Sequence, residues 1–393
     1  STPAPATAAF NIPDGELDPA AWGKFFPDQY ASYLKNKEMK KGNSKYGGSE
    51  PFSHLTEDPM QVKMFGGYGF SLEYNEDRGH LYTLEDVTKI KRVNDKTPSS
   101  CWTCKTPNAA LMIKEQGDKF YATPFKDNKD KMQHPIACAD CHDSKTMALK
   151  ITRPAFIEGL KAQGKEPEKL SRQEMRSAVC AQCHVEYYMK TDNKKVIFPW
   201  ANGFTVENIE KYYDDLKFKD WEHPDSKAPM LKAQHPEYEM FSTGIHAANN
   251  VACADCHMPY VKEGASKISS HQWQSPLNTI SQSCGACHKQ SEDYLKTQVL
   301  DIQDKVYSTK IKAEKAIVSA IDALKQAGEN SAADLKTLTE ARDLHRKAQW
   351  RWDFVSAENS MGFHSPREAL RILAEAIDLG RQAELKALSA VKP

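Results

Sequence analysis

The chain has no net charge and no long apolar run. Its 53 basic and 53 acidic residues cancel, so no overall field for a polyanion or an anionic membrane surface is implied. No stretch of 18 or more apolar residues occurs, which excludes a transmembrane helix of ordinary length. No charged segment followed by an apolar core stands ahead of Ser1. Apolar residues are only 40% of 393, modest for two or three ordinary domains, so something besides side chains is expected to fill the interior. Free cysteine is also lacking: all ten cysteines fall in five Cys-x-x-Cys pairs.

Four of those pairs are followed directly by histidine. They are Cys138-Ala-Asp-Cys141-His142, Cys180-Ala-Gln-Cys183-His184, Cys253-Ala-Asp-Cys256-His257 and Cys284-Gly-Ala-Cys287-His288. The fifth, Cys101-Trp-Thr-Cys104-Lys105, ends in lysine. Shuffling this composition would give on the order of 0.01 copies of the five-residue motif, so four are not accidental. Structural zinc pairs two such motifs about 15–20 residues apart, whereas 33, 38, 69 and 27 residues separate these. Disulfides within each pair would close small strained loops and leave the histidines unexplained. On a helical turn, positions i, i+3 and i+4 share a face. Two thiols there can hold a porphyrin edge while the next side chain reaches its iron, the attachment pattern of c-type haem. Five covalently bound haem c groups are expected. Such haem is attached outside the cytoplasm, so a secreted, periplasmic chain whose signal peptide has been removed is expected.

Residues 1–100 place Gly and Pro at irregular intervals and read as loops and short helices, after a Pro-rich start at Ser1–Ala9. Residues 101–288 hold the five motifs on short helices joined by polar loops; haem replaces the protein core that such loops lack. Beyond His288 the pattern changes. Leu295, Val299, Ile302, Val306, Ala313, Ile317, Ile321 and Leu324 recur at helical spacing, a stripe of about 45 Å at ~1.5 Å per residue. Gly328 is expected to stop this helix. Ser331, three residues before Asp334, is the expected cap of a second helix ending near Ser356. Ser365-Pro366 opens a third, ending near Ala390. The fold class is therefore mainly α with little β: a multihaem body over 1–290 and long C-terminal helices over 291–393. A stripe that long is expected to meet, in part, a second copy of itself, with Ile317 and Leu324 on the shared face.

Iron ligands can be counted. Four histidines belong to the motifs, and four more are required if those four haems are bis-histidine; nine remain among the 13. Lysine is the odd donor: its amine must lose a proton to bind iron and has no second ring nitrogen to be tuned through. A haem with a donor unlike its four neighbours is the one expected to do chemistry.

A Cys-x-x-Cys-Lys motif ahead of four Cys-x-x-Cys-His motifs resembles the periplasmic, ammonia-forming pentahaem cytochrome c nitrite reductases. Arg78-Gly-His80, Cys183-His-Val-Glu-Tyr187, Leu231-Lys-Ala-Gln-His235 and Gly244-Ile-His246 extend the likeness from about residue 50 to His364. The resemblance implies that Lys105 is the proximal ligand of the catalytic haem. It implies distal His80 for the haem on Cys180/Cys183, and His246 for that on Cys284/Cys287. His271 would serve the haem on Cys138/Cys141, and His364 that on Cys253/Cys256. Arg92, Tyr187 and His235 would line the nitrite pocket. Glu186 and Gln234, with the backbone carbonyls of Tyr187 and Lys232, would bind Ca²⁺. His54, His134, His223 and His345 are left as ordinary polar or packing residues. The family is expected to form homodimers and to take electrons from a multihaem cytochrome or a membrane quinol dehydrogenase. A non-enzymatic electron carrier, or a reductase of sulfite or hydroxylamine on the same architecture, is the alternative.

Overall fold

The structure, a computed structural model, describes residues 10–76 and 78–391. Its first half is a succession of helices of four to ten residues separated by turns, as the scattered Gly and Pro imply. Helix α1 (Arg172–Ala181) is one of the longest of these; Ser171 and Glu174 cap it reciprocally. Among the described residues, strand structure is confined to three two-stranded antiparallel hairpins, and the longest pairs Tyr260–Glu263 with Ser266–Ser269. The expected mainly α class with little β is what forms.

Three long helices complete the chain: α2 (Glu292–Glu329), α3 (Leu335–Ser356) and α4 (Pro366–Ser389). Their ends correct three readings of the sequence. Gly328 lies inside the last turn of α2, which closes one residue later with Asn330 as its cap. Asp334, not Ser331, caps α3; its carboxylate accepts the Thr337 N–H at 2.9 Å, a charged acceptor at a helix start. Ser365 does precede α4, but its hydroxyl makes no cap and bonds the Thr243 hydroxyl at 2.9 Å instead.

The apolar stripe of α2 forms as expected, and its covering is intramolecular. Val306, Ile317 and Ile321 share one core with Trp350 and Trp352 of α3, Ile372 and Leu373 of α4, and Met64, Phe65 and Met230 of the body. Leu324 packs with Leu338, Ala341 and Ala387. Ile317 and Leu324 are 0% and 1% exposed within one chain, so neither lies on a face shared with a second copy. Burying each contributes on the order of 1.5–3 kcal/mol. The same core joins the helices to the body and so holds the functional loops between them.

Candidate functional site

An irregular cavity of about 1740 Å³ runs through the body. All ten cysteines line it, as do Lys105 and nine histidines: His80, His142, His184, His235, His246, His257, His271, His288 and His364. His54, His134, His223 and His345 do not. His54 bonds Glu76 at 3.0 Å, and His345 lies buried between Ser226 and Gln349.

Each motif sits on a single turn. Cys138–Cys141 and Cys253–His257 are short helices whose Asp140 and Asp255 carboxylates accept the Ala137 and Ala252 N–H groups, each at 2.8 Å. Cys180 falls in the last turn of α1, while Cys101 and Cys284 belong to 3₁₀ turns. The turns are not all alike. The N–H of His142, His184 and His288 returns to the carbonyl of the first cysteine of its motif. That of Lys105 returns to Trp102, one residue later, so the lysine motif is wound more tightly. Neighbouring turns lie close together: Cys104 and Cys183 are near enough to act on each other's charge, as are Cys180 and Cys253.

The motif histidines face other imidazoles across the cavity. Ring centroids are 6.1 Å apart for His80 and His184, 6.4 Å for His142 and His271, 6.4 Å for His246 and His288, and 6.3 Å for His257 and His364. An imidazole nitrogen sits about 2.0 Å from a bound metal and roughly 1.15 Å from its ring centre. Two imidazoles on opposite sides of one iron therefore have centroids about 6.3 Å apart. The spacing fits haem iron in all four gaps. Local backbone brings these rings together. Gly79 holds φ at 96°, a region glycine enters freely, just before His80. A Cβ on Gly244 would overlap the His364 carbonyl oxygen, so glycine lets the His246 and His364 loops meet.

Hydrogen bonds behind the rings fix which nitrogen faces the cavity. Nδ1 of His142, His257 and His271 donates to the carbonyls of Met147, Gln274 and Ser269 at 2.9, 3.1 and 2.8 Å, leaving Nε2 for a metal. Burial pushes all three below the ordinary imidazole range, His257 to about 4, which keeps them neutral as ligands must be. His184 and His364 differ. Burial pulls them down, but Glu237 and Glu358, at 3.8 and 2.5 Å from their Nδ1 atoms, outweigh it and hold both up.

Tyr187, His235 and Lys105 share the cavity lining. Arg92 does not line it; its guanidinium lies 3.8 Å from the Phe70 ring centre, close enough for its charge to act on Cys101 and Tyr68. Thr83 fixes the Lys105 carbonyl through a 2.7 Å bond from its hydroxyl.

Behind this lining runs a strap of polar groups. Glu186 is fully buried, and its carboxylate accepts the Tyr213 hydroxyl at 2.8 Å and the Gln234 N–H at 2.6 Å. The Gln234 amide donates to the Lys232 carbonyl at 3.1 Å. Lys232 is itself buried; its ammonium pairs with Asp353 of α3 at 2.9 Å and its N–H with Asp220 at 2.8 Å. Burial pushes Glu186 well up, Asp220 to about 7 and Glu239, which accepts the Glu186 N–H at 3.0 Å, to about 8. Several buried carboxylates against one ammonium are an excess that a divalent cation would relieve. Among the described residues no three His, Cys, Asp or Glu side chains gather as a metal site, so a cation here would draw on carbonyl and amide oxygens too. Sequence reasoning missed Asp353, Asp220, Glu239, Glu237 and Glu358. Only Glu237, two residues beyond His235, had a signal in its position.

The chain matches the cytochrome c552 family over residues 18–392. A cytochrome c-552 of Bacteroides fragilis is 44% identical over 374 residues, spanning 93% of this chain and 75% of its own length. A cytochrome c nitrite reductase subunit of Nitratidesulfovibrio vulgaris is 42% identical, with 94% and 79% covered. Among solved structures, the cytochrome c nitrite reductase of Desulfovibrio desulfuricans, described with two calcium sites in its catalytic subunit, superposes with a TM-score of 0.93. It is 38% identical and covers 97% of this chain and 88% of its own.

Proposed function

The chain belongs to the cytochrome c552 family, and from that premise we propose that it reduces nitrite to ammonium at a haem held by Lys105, with four bis-histidine haems supplying electrons. The balance is one nitrite, six electrons and eight protons to one ammonium and two waters. The observation that carries the reading is the set of four imidazole gaps, 6.1 to 6.4 Å, one for each Cys-x-x-Cys-His motif. The fifth motif brings lysine to the same cavity as Tyr187 and His235.

Haem, when bound there, would supply an open iron for nitrite and the route for electrons. The protein does the rest. Lys105 would hold that iron through its neutral amine. His235 holds a nitrite oxygen and stabilises charge as the N–O bonds break, and Arg92, outside the lining, adds positive charge on the Cys101 side of the site. Tyr187 and His235 pass protons to the departing oxygens; burial keeps the Tyr187 phenol protonated and so able to donate. Glu186, Gln234 and the carbonyls of Tyr187 and Lys232 would hold Ca²⁺, which would keep the Tyr187 and His235 segments in register and supply positive potential for an anion. The closeness of these motifs supports an electron path: from the motif at Cys253/Cys256 to that at Cys180/Cys183, then to that at Cys101/Cys104.

Residues 1–290 act as the haem-bearing body. Residues 291–393 brace it, contribute His364, and form the face of a homodimer in the periplasm. A multihaem cytochrome or a membrane quinol dehydrogenase supplies the electrons. No described helix is long and apolar enough to cross a membrane. The test is stoichiometry: with a reduced dye as donor, six electrons should be consumed and one ammonium formed per nitrite. Accumulation of nitric oxide, or no turnover, would reject the reading.

A further inference from the structure

Arg153 is 0% exposed, and a guanidinium sealed from water must spend its N–H groups on protein acceptors. Its Nε donates to the Thr103 carbonyl at 2.9 Å and Nη2 to the Thr106 carbonyl at 3.0 Å. Those two residues bracket Cys104 and Lys105. Nη1 donates to the Thr152 hydroxyl at 2.6 Å and stands 2.5 Å from the Asp140 carboxylate, between Cys138 and Cys141. The N–H groups of Thr152 and Arg153 donate to the Gln182 side-chain oxygen at 2.9 and 3.2 Å, and its amide returns to the Asp140 carbonyl at 2.9 Å. Gln182 lies between Cys180 and Cys183. The residue before the second cysteine in three motifs thus converges on one arginine. Asp255 repeats the position in a fourth motif, where Gln173 and Arg176 of α1 grip it.

Apolar side chains could fill this space without desolvating charge, so the arrangement is not explained by stability alone. The planar guanidinium fixes direction as well as distance, which a lysine ammonium does not. We propose that Arg153 is a positioning residue for nitrite reduction, locking the Lys105 haem against the haems on Cys138/Cys141 and Cys180/Cys183. It thereby sets the coupling through which electrons reach the reacting iron. Each transfer oxidises one ferrous bis-histidine iron and reduces the ferric iron beside Lys105, with no bond made or broken. The inference rests on the haem assignment of the preceding section.

The test uses the holoprotein and its variants Arg153→Lys and Gln182→Met. Mass spectrometry counts covalent haem; electron paramagnetic resonance of the oxidised protein reports magnetic coupling between neighbouring haems; flash reduction times transfer to the Lys105 haem. Arg153→Lys is expected to keep all five haems, alter the coupled signal and slow transfer at least tenfold. Gln182→Met, which leaves the arginine in place, should do the same to a lesser degree. If Arg153→Lys does not accumulate, Gln182→Met is read alone. Native coupling and native transfer in the variant read would overturn the proposal. Fewer than five haems on the unmodified protein would instead reject the haem assignment itself.

Discussion

Lys232 and Asp353 form an ion pair 2.9 Å long in which both side chains are 1% exposed. Asp353 also accepts the Ala233 N–H at 2.8 Å, so one carboxylate of α3 grips two successive residues of the Lys232–His235 strap. This is how a helix of the C-terminal unit reaches the pocket. Removing one partner of a buried pair costs about 3–5 kcal/mol, because the other charge is stranded. Asp353→Ala should lower the unfolding free energy by that order, read from a lowered denaturant midpoint, and weaken calcium binding. Chelation of the unmodified protein should lower nitrite turnover reversibly, with haem count and low-spin spectra unchanged. Chelation without effect on turnover would remove calcium from the account.

Lys105→His should keep its haem attached and leave the four imidazole pairs intact. Nitrite turnover with a dye donor is expected to fall at least tenfold. An unchanged rate would mean that lysine does not mark the reacting haem.

His271 and His235 separate ligands from pocket residues. The His271 ring faces His142 at 6.4 Å, so His271→Ala should convert one low-spin haem to high spin and slow electron supply. His235→Asn should leave every low-spin signal in place and lower turnover. A lost low-spin signal in His235→Asn would make it a ligand instead.

The buried stripe of α2 gives an outcome opposite to a surface reading. Ile317→Asp places an unpaired charge in a core shared by three helices and the body, at a cost of about 3–5 kcal/mol. Reduced melting temperature and poor yield are expected, not stable monomers. Sedimentation of the unmodified protein checks the homodimer separately and should give twice the mass of one chain.

Much of this was legible in the sequence because the cues are short and local. A Cys-x-x-Cys-His turn is complete in five residues, and Pro366 after Ser365 marks a helix start wherever it occurs. Ser331 misled by three residues because Asp334, a charged acceptor for Thr337, competes better for the α3 cap, and Gly328 by one because α2 runs through it to Glu329. Ile317 was misplaced for a different reason. A helical stripe says that a face is covered, not by what, and its cover came from α3, α4 and residues near Met64, more than 200 positions away. Asp353, Glu358 and Arg153 left no signal for the same cause. Each acts on a partner brought up by the fold, and nothing in the spacing of a lone Asp, Glu or Arg foretells that partner.

The proposed function requires that one of five haems, held by Lys105, meets nitrite while four are closed by paired histidines. The most direct measurement is the electron paramagnetic resonance and visible spectrum of the oxidised protein, before and after nitrite is added. One high-spin haem to four low-spin ones is expected, with only the high-spin signal changed by nitrite. Five low-spin haems, none altered by nitrite, would contradict it and leave an electron carrier.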